Sequence, residues 1–251
     1  MVGCRQFIVN LSNTMLRLIT DFDGPVMDVS ERYYRVYCFC LESVSDRRQQ
    51  LNQLSKEAFW AMKRAQVPEV EIGQRSGLNP AQSREFAQLR KETVHQVPQL
   101  VHDKPVAGAI ASLERAETLG IELVVMTMRR VRELDDALVR YDLGRFFPPE
   151  RRYCLANDYV KTKDSEDKPK LMARAMEELP SAVQTWMVGD TEADIAAARF
   201  GRVPAIALLS GIRDRDRLLS FGPDAIVDNL GAALDLIESQ VLDQDLLATP
   251  V

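Results

Sequence analysis

Asp21 and Asp23 directly follow an apolar, β-branched run at residues 16–20, and Gly24 comes next. Thr127 follows a second apolar run at 121–126, and Gly189-Asp190-Thr191-Glu192-Ala193-Asp194 follows a third at 185–188. Lys161, Lys163, Lys168 and Lys170 cluster between the last two runs. Carboxylates gathered in one crevice repel one another and shift their pKa values unless a cation joins them. Oxygen donors with no cysteine or histidine among them suit Mg²⁺, a hard ion. Mg²⁺ beside an anionic nucleophile also neutralises the charge of a phosphate dianion. These residue types therefore point to metal-assisted phosphoryl chemistry.

The residues can meet only if the runs before them lie side by side. From Pro105 onward, strand-like and helix-like stretches alternate. Helices are predicted at 106–119, 131–141, 169–179, 191–200 and 232–241, and strands at 121–126, 153–156, 185–188, 205–209 and 225–227. Gly120 and Gly201 are read as helix stops. Alternation of this length predicts an α/β fold with a doubly wound, Rossmann-like parallel sheet. Ligands of such sheets bind beyond the carboxyl ends of the strands, where all the named acids would stand.

Residues 28–101 interrupt the alternation. Their apolar residues fall at helical spacing: Tyr33, Tyr34, Tyr37, Phe39 and Leu41 in one stretch, Leu51, Leu54, Phe59, Trp60 and Met62 in another. A third helix is predicted at 81–94, and a break at 67–80 holds Pro68, Gly73, Gly77 and Pro80. The segment is too long for a βα loop and predicts an all-helical insert with its own core. It carries 11 Lys and Arg against 9 Asp and Glu. The α/β core would then comprise 15–27 and 102–251, with 1–14 as an extension of no assigned role.

Each motif has a bland reading. Asp-x-Asp-Gly alone is usually a turn. Gly-Asp-x-x-x-Asp opening a helix can be mere capping. A lysine cluster is usually a solvated face. Their joint placement after successive strands gives the set its weight.

That set resembles the four motifs of the haloacid dehalogenase-like hydrolase superfamily, in that family's order, across 16–237. The insert falls where the family carries a C1-type cap, and the architecture is similar to its phosphoglycolate phosphatase branch. The resemblance implies Asp21 as nucleophile, forming an aspartyl-phosphate, and Asp23 as general acid and base. It implies that Thr127 and neighbouring Met128 face the phosphoryl group, and that Lys168 neutralises Asp21, with Lys170 as the alternative lysine. Mg²⁺ would be held by Asp21, the backbone carbonyl of Asp23, Asp190 and Asp194. Gly24 would permit a turn aiming N–H groups at phosphate. Arg129 and Arg130, close after Thr127, could reach an acidic group on the substrate. Arg75, in the Gly-flanked break of the insert, is the cap residue expected to read the substrate. Pro25 stands where the family more often has threonine, which removes one N–H from that turn.

The function so implied is Mg²⁺-dependent hydrolysis of a small phosphorylated metabolite. A sugar-phosphate phosphomutase of the same superfamily is the alternative, and a non-catalytic phosphate-binding relative the reading from another class. Asp23 argues against dehalogenase or phosphonate-cleaving chemistry, whose enzymes typically lack that second acid. With a net charge of -5 and pI near 5.3, the chain has no general attraction for nucleic acid or an anionic membrane. No apolar stretch approaches the ~20 residues of a membrane span. Cys4, Cys38, Cys40 and Cys154 form no CxxC pair, which fits reduced thiols in the cytoplasm. His95 and His102 are read as bland, and nothing in the sequence sets an oligomeric state.

Overall fold

A computed structural model describes residues 15–248, with side chains described to 241. Residues 1–14, read above as an extension, lie outside the described residues. The chain opens with strand β1 (Leu16–Thr20) and a two-residue strand β2 (Met27–Asp28). Helices α1 (Ser30–Val44), α2 (Lys56–Arg64), α3 (Glu69–Arg75) and α4 (Pro80–Thr93) follow. A 3₁₀ turn at Val97–His102 leads into β3 (Lys104–Pro105), which pairs antiparallel with β2. Then come α5 (Ala109–Thr118), β4 (Ile121–Arg130), α6 (Val131–Arg140), β5 (Arg152–Leu155), α7 (Asp164–Glu178) and β6 (Gln184–Gly189). The chain continues through α8 (Glu192–Gly201), β7 (Ala205–Leu208), α9 (Arg215–Phe221), β8 (Ala225–Val227) and α10 (Leu230–Ala248).

Six strands form one parallel sheet in the order β5-β4-β1-β6-β7-β8. The period-2 alternation of strand side chains explains its two buried faces. Leu18, Leu123, Val125, Trp186, Val188 and Ile206 pack under α5, α6 and α10. Ile19, Val124, Met126, Met187 and Ala207 pack under α7, α8 and α9. Helices on both faces make this the expected doubly wound α/β fold. The chain leaves β1 toward β4 on one side and later returns to β6 on the other. The carboxyl ends of β1 and β6 thus flank the switch point, where a crevice opens.

Between β2 and β3 lies the helical insert. Val36, Tyr37, Cys40, Phe59, Ile72 and Phe86 form its own buried cluster. Fully burying one such large apolar side chain contributes about 1.5–3 kcal/mol, so several together support a separate core. Asn79 caps α4 by accepting from the Gln82 amide at 3.0 Å, while the Gln82 side chain accepts from the Asn79 amide at 3.0 Å.

Several predicted boundaries shift. The stretch read as a break contains α3: Asn79 caps the next helix, and Gly73 lies buried against Phe86 rather than in a loop. The strand read as 121–126 runs on to Arg130, with an irregular register against β5 between Met126 and Arg130. Thr127 therefore sits inside β4, not after it. Helix α7 starts five residues before Pro169, which lies within it, so Lys168 is in the helix body. Gly201 is the last residue of α8 rather than its stop. The short elements β2, β3 and α9 carry no periodicity long enough to read.

Candidate active site

Asp21 stands at the centre of the sheet because β1 is paired on both sides, with Thr20 opposite Val125 and Val188. Its amide donates to the Val188 carbonyl at 2.8 Å, which ties the residue to β6 just past the last strand position. Asp190 follows Gly189, the last residue of β6, and is its spatial neighbour. Asp194 comes one helical turn later on α8. Its Oδ2 accepts from the Asp190 and Thr191 amides at 3.0 and 2.9 Å and from the Thr191 hydroxyl at 2.7 Å. The capping expected of this motif is thus real, and it fixes Asp194 beside Asp190.

Asp21, Asp190 and Asp194 each offer a carboxylate oxygen within 4.8 Å of the others, and all three residues are buried. Lys168 reaches them from α7, with Nζ 2.8 Å from Asp21 Oδ2 and 2.5 Å from Asp194 Oδ1. Lys168 is only 1% exposed. Burial opposes its charge, but Asp194 and Asp21 outweigh that and hold the ammonium firmly protonated. One lysine does not balance three acids. Burial lifts the Asp21 carboxyl well above its usual range, and the Asp194 and Asp190 charges add to this against Lys168. Burial, followed by the Asp194 charge, pushes Asp190 up to about 7. A crowded set of oxygen donors short of positive charge fits a hard divalent cation.

The acids form the floor of a cleft of about 520 Å³ between sheet and insert. Thr127, Met128 and Arg130 from β4 line one wall, and Tyr33, Lys91 and His95 of the insert form the roof. Lys161 and Arg213 also face it.

Asp23 takes no part in the acidic cluster. Its Oδ1 accepts from Arg129 Nε at 2.8 Å, and its Oδ2 accepts from Arg32 Nη2 at 3.1 Å. Arg32 Nε lies 3.0 Å from Asp103 Oδ1, and Arg129 also pairs with Asp103. Burial alone would raise Asp23, but Arg129 and Arg32 outweigh it and keep its carboxyl below the usual range. The quartet joins the core through Arg129, the junction through Asp103 and the insert through Arg32.

Three residues expected to contact substrate have other partners here, as does the alternative lysine. Arg129 borders the cleft but is 5% exposed, with its guanidinium already paired to Asp23 and Asp103. The Gly24 amide donates to the Met27 carbonyl at 2.8 Å and is unavailable to phosphate. Gly24 does permit the turn, at φ 95°, and also a close approach, since a Cβ there would overlap the Asp190 carboxylate. Arg75 does not line the cleft: it is exposed on the last turn of α3 and paired with Glu71 one turn earlier. Insert residues that do reach the core include Arg64 and Gln66, at the turn after α2, which bond the Leu209 carbonyl and Glu192. Lys170, the alternative lysine, bonds Asp167 at 2.8 Å on the exposed side of α7.

Sequence reading missed Arg32, Asp103 and Arg213, and gave no role to His95, which lines the cleft. Arg32 was detectable: it sits on the buried stripe of α1 with Val36, Tyr37 and Cys40, where a charge needs a partner. Asp103 and Arg213 lie in connections whose positions depend on distant packing, and no local pattern marks them.

A family model described as haloacid dehalogenase-like hydrolase matches residues 17–201. Phosphoglycolate phosphatase of Pseudomonas fluorescens is 25% identical over 127 residues, which is 51% of this chain and 45% of that relative. The phosphoglycolate phosphatase of Pseudomonas syringae pv. tomato is 25% identical over 123 residues, 49% of this chain and 43% of its own length. The matched region thus spans less than half of these curated relatives. Among solved structures, a haloacid dehalogenase-like family hydrolase from Streptococcus pneumoniae shares the fold with TM-score 0.62 at 16% identity, covering 89% of this chain and 98% of that one. A hydrolase from Pseudomonas syringae does so with TM-score 0.56 at 15% identity, covering 90% and 99%. With the family match running from β1 through α8, across every acid of the cleft floor, the chain belongs to the haloacid dehalogenase-like hydrolases.

Proposed function

We propose that this protein is a Mg²⁺-dependent phosphatase that hydrolyses a small phosphomonoester through a phosphoryl group carried on Asp21. One observation carries the reading: Lys168 bridges Asp21 and Asp194 at the sheet's switch point, beside Asp190 and beneath an open cleft. Asp21, Asp190 and Asp194 would hold the cation, which supplies charge neutralisation for the phosphate.

Each Asp21 oxygen has one donor, the Phe22 amide on Oδ1 at 2.6 Å and Lys168 on Oδ2 at 2.8 Å. A carboxylate has about four acceptor sites, so lone pairs remain for attack on phosphorus. The new Asp21–phosphorus bond forms as the ester oxygen leaves and takes up a proton. Water then attacks phosphorus, the Asp21 bond breaks, and inorganic phosphate departs. Asp23, ionised between its arginines, is in the form that accepts the proton of that water. To protonate the leaving oxygen it must first exchange one arginine for a proton. Thr127 and Lys168 would bind phosphoryl oxygens, and the cleft roof would exclude bulk water and large substrates.

The relatives' name makes phosphoglycolate the first substrate to test, within a panel of phosphorylated metabolites. Cys38, Cys40 and Cys154 are unbridged, in keeping with a reducing cytoplasmic setting. Wild-type protein should release phosphate from p-nitrophenyl phosphate with Mg²⁺ and lose that activity reversibly in EDTA. Asp21→Asn should abolish it. Turnover of a sugar monophosphate without phosphate release would favour the phosphomutase alternative, and no turnover with Mg²⁺ would contradict both.

A further inference from the structure

Asp190 is positioned by a loop as well as by its strand. Its Oδ2 accepts from the Ile212 amide at 2.6 Å. A Cβ on Gly211 would overlap its carboxylate, so the loop backbone packs directly on it. This loop runs from the end of β7 to the start of α9, residues 209–214. At its near end, the Leu209 amide donates to Val227 of β8 at 2.9 Å. The Ser210 hydroxyl donates to the Gly24 carbonyl at 2.9 Å, which binds the loop to the Asp21 turn as well.

Both ends of the loop are also held by the insert. Arg64 Nη2 donates to the Leu209 carbonyl at 2.8 Å and to the Arg213 carbonyl at 3.1 Å. Its own carbonyl accepts from the Asp214 amide at 3.1 Å. Two residues on, Gln66 takes a left-handed φ of 56° and donates from its side chain to Glu192 Oε1 at 3.1 Å. Glu192 pairs with both Arg213 Nε and Nη2, at 2.8 and 2.9 Å. One guanidinium thus spans the two carbonyls that bracket Ile212. A planar guanidinium can join two acceptors in fixed geometry, which a lysine cannot.

We propose that Arg64 is a positioning residue for the cation site: by clamping the Leu209 and Arg213 carbonyls it holds the Ile212 amide on Asp190. The inference rests on reading the acidic cluster as a Mg²⁺ site. It joins the docked position of the insert to the geometry of a cation ligand through the 209–214 loop. Loss of the clamp lets the loop relax and Asp190 turn, so cation affinity falls while the phosphate contacts stay in place.

The test is Mg²⁺ binding by calorimetry on the whole chain, alongside p-nitrophenyl phosphate kinetics. Arg64→Ala should weaken Mg²⁺ binding by about tenfold, the lower end of what losing an outer-shell partner costs a metal site. Its kcat should fall at limiting Mg²⁺ and recover at saturating Mg²⁺, with KM little changed. Arg64→Lys should fall between Arg64→Ala and wild type. Wild-type Mg²⁺ affinity in Arg64→Ala, or a kcat deficit that persists at saturating Mg²⁺, would overturn the inference. Should Arg64→Ala not fold by circular dichroism, the same comparison on Arg64→Lys decides. Wild-type protein that binds no Mg²⁺ would overturn the proposed function itself.

Discussion

A lysine buried between Asp21 and Asp194 is costly to place and more costly to remove. Breaking a buried pair by deleting one partner costs about 3–5 kcal/mol, because the other charge stays uncompensated. Lys168→Met should therefore lower stability by about that much in urea denaturation without cation, and abolish turnover. Lys170 cannot replace it, since it faces solvent and is bound to Asp167. A Lys168→Met protein with near wild-type stability and turnover would remove Lys168 from the site. At this scale the sequence was most legible where a residue follows a strand directly. Asp21, Asp190 and Asp194 meet because strand ends meet. Arg129 and Arg75 misled because a free arginine and a paired one look alike in sequence. Their partners, Asp23 and Asp103 for one and Glu71 for the other, are chosen by packing and rotamer.

Helix α8 illustrates why element ends are harder to read than element cores. Gly201 looked like a stop, yet a Cβ there would meet Met172 Cγ at 2.9 Å, so the glycine eases the close packing of α8 on α7. Arg202 takes the left-handed position instead, at φ 54°. A non-glycine residue there costs about 1 kcal/mol. Arg202→Gly should accordingly raise the melting temperature by a few degrees, with activity unchanged, and a lower melting temperature would contradict this account. Similar local ambiguity hid α3 within a glycine- and proline-rich stretch and concealed how far β4 extends. The long, strongly periodic helices were legible because their apolar stripes face one core or the other. The turn after α2, which docks the insert, carries no such stripe.

Across the whole molecule, the α/β core and helical insert follow from the change in hydrophobic period at residue 28 and its return near 105. What the period could not specify is how the two parts touch, through the Arg32–Asp103–Arg129–Asp23 quartet on one side and Arg64 on the other. The charge in the cleft has a consequence for the whole fold. Without cation, burial and Asp194 lift Asp190 from its ordinary 3.8 to about 7, and burial outweighs the nearby arginines to lift Asp103 to about 6. Both bind a proton more tightly folded than unfolded. Their contribution to stability is therefore full below the unfolded value and is lost as pH rises through about 6 to about 7. Mg²⁺ binds the ionised carboxylates, so it should raise the melting temperature more at about pH 8 than at about pH 5. Asp190→Asn should remove most of that difference, and an equal Mg²⁺ shift at both pH values would contradict the cluster as the cation site. The central claim, that Asp21 carries the phosphoryl group, is tested most directly by trapping. Protein mixed with Mg²⁺ and a turned-over phosphomonoester, quenched in acid, reduced with borohydride and mapped by mass spectrometry should show the acyl-phosphate reduction product at position 21 alone, and none in Asp21→Asn. Active protein with no modification at Asp21, or with modification at another acid, would contradict it.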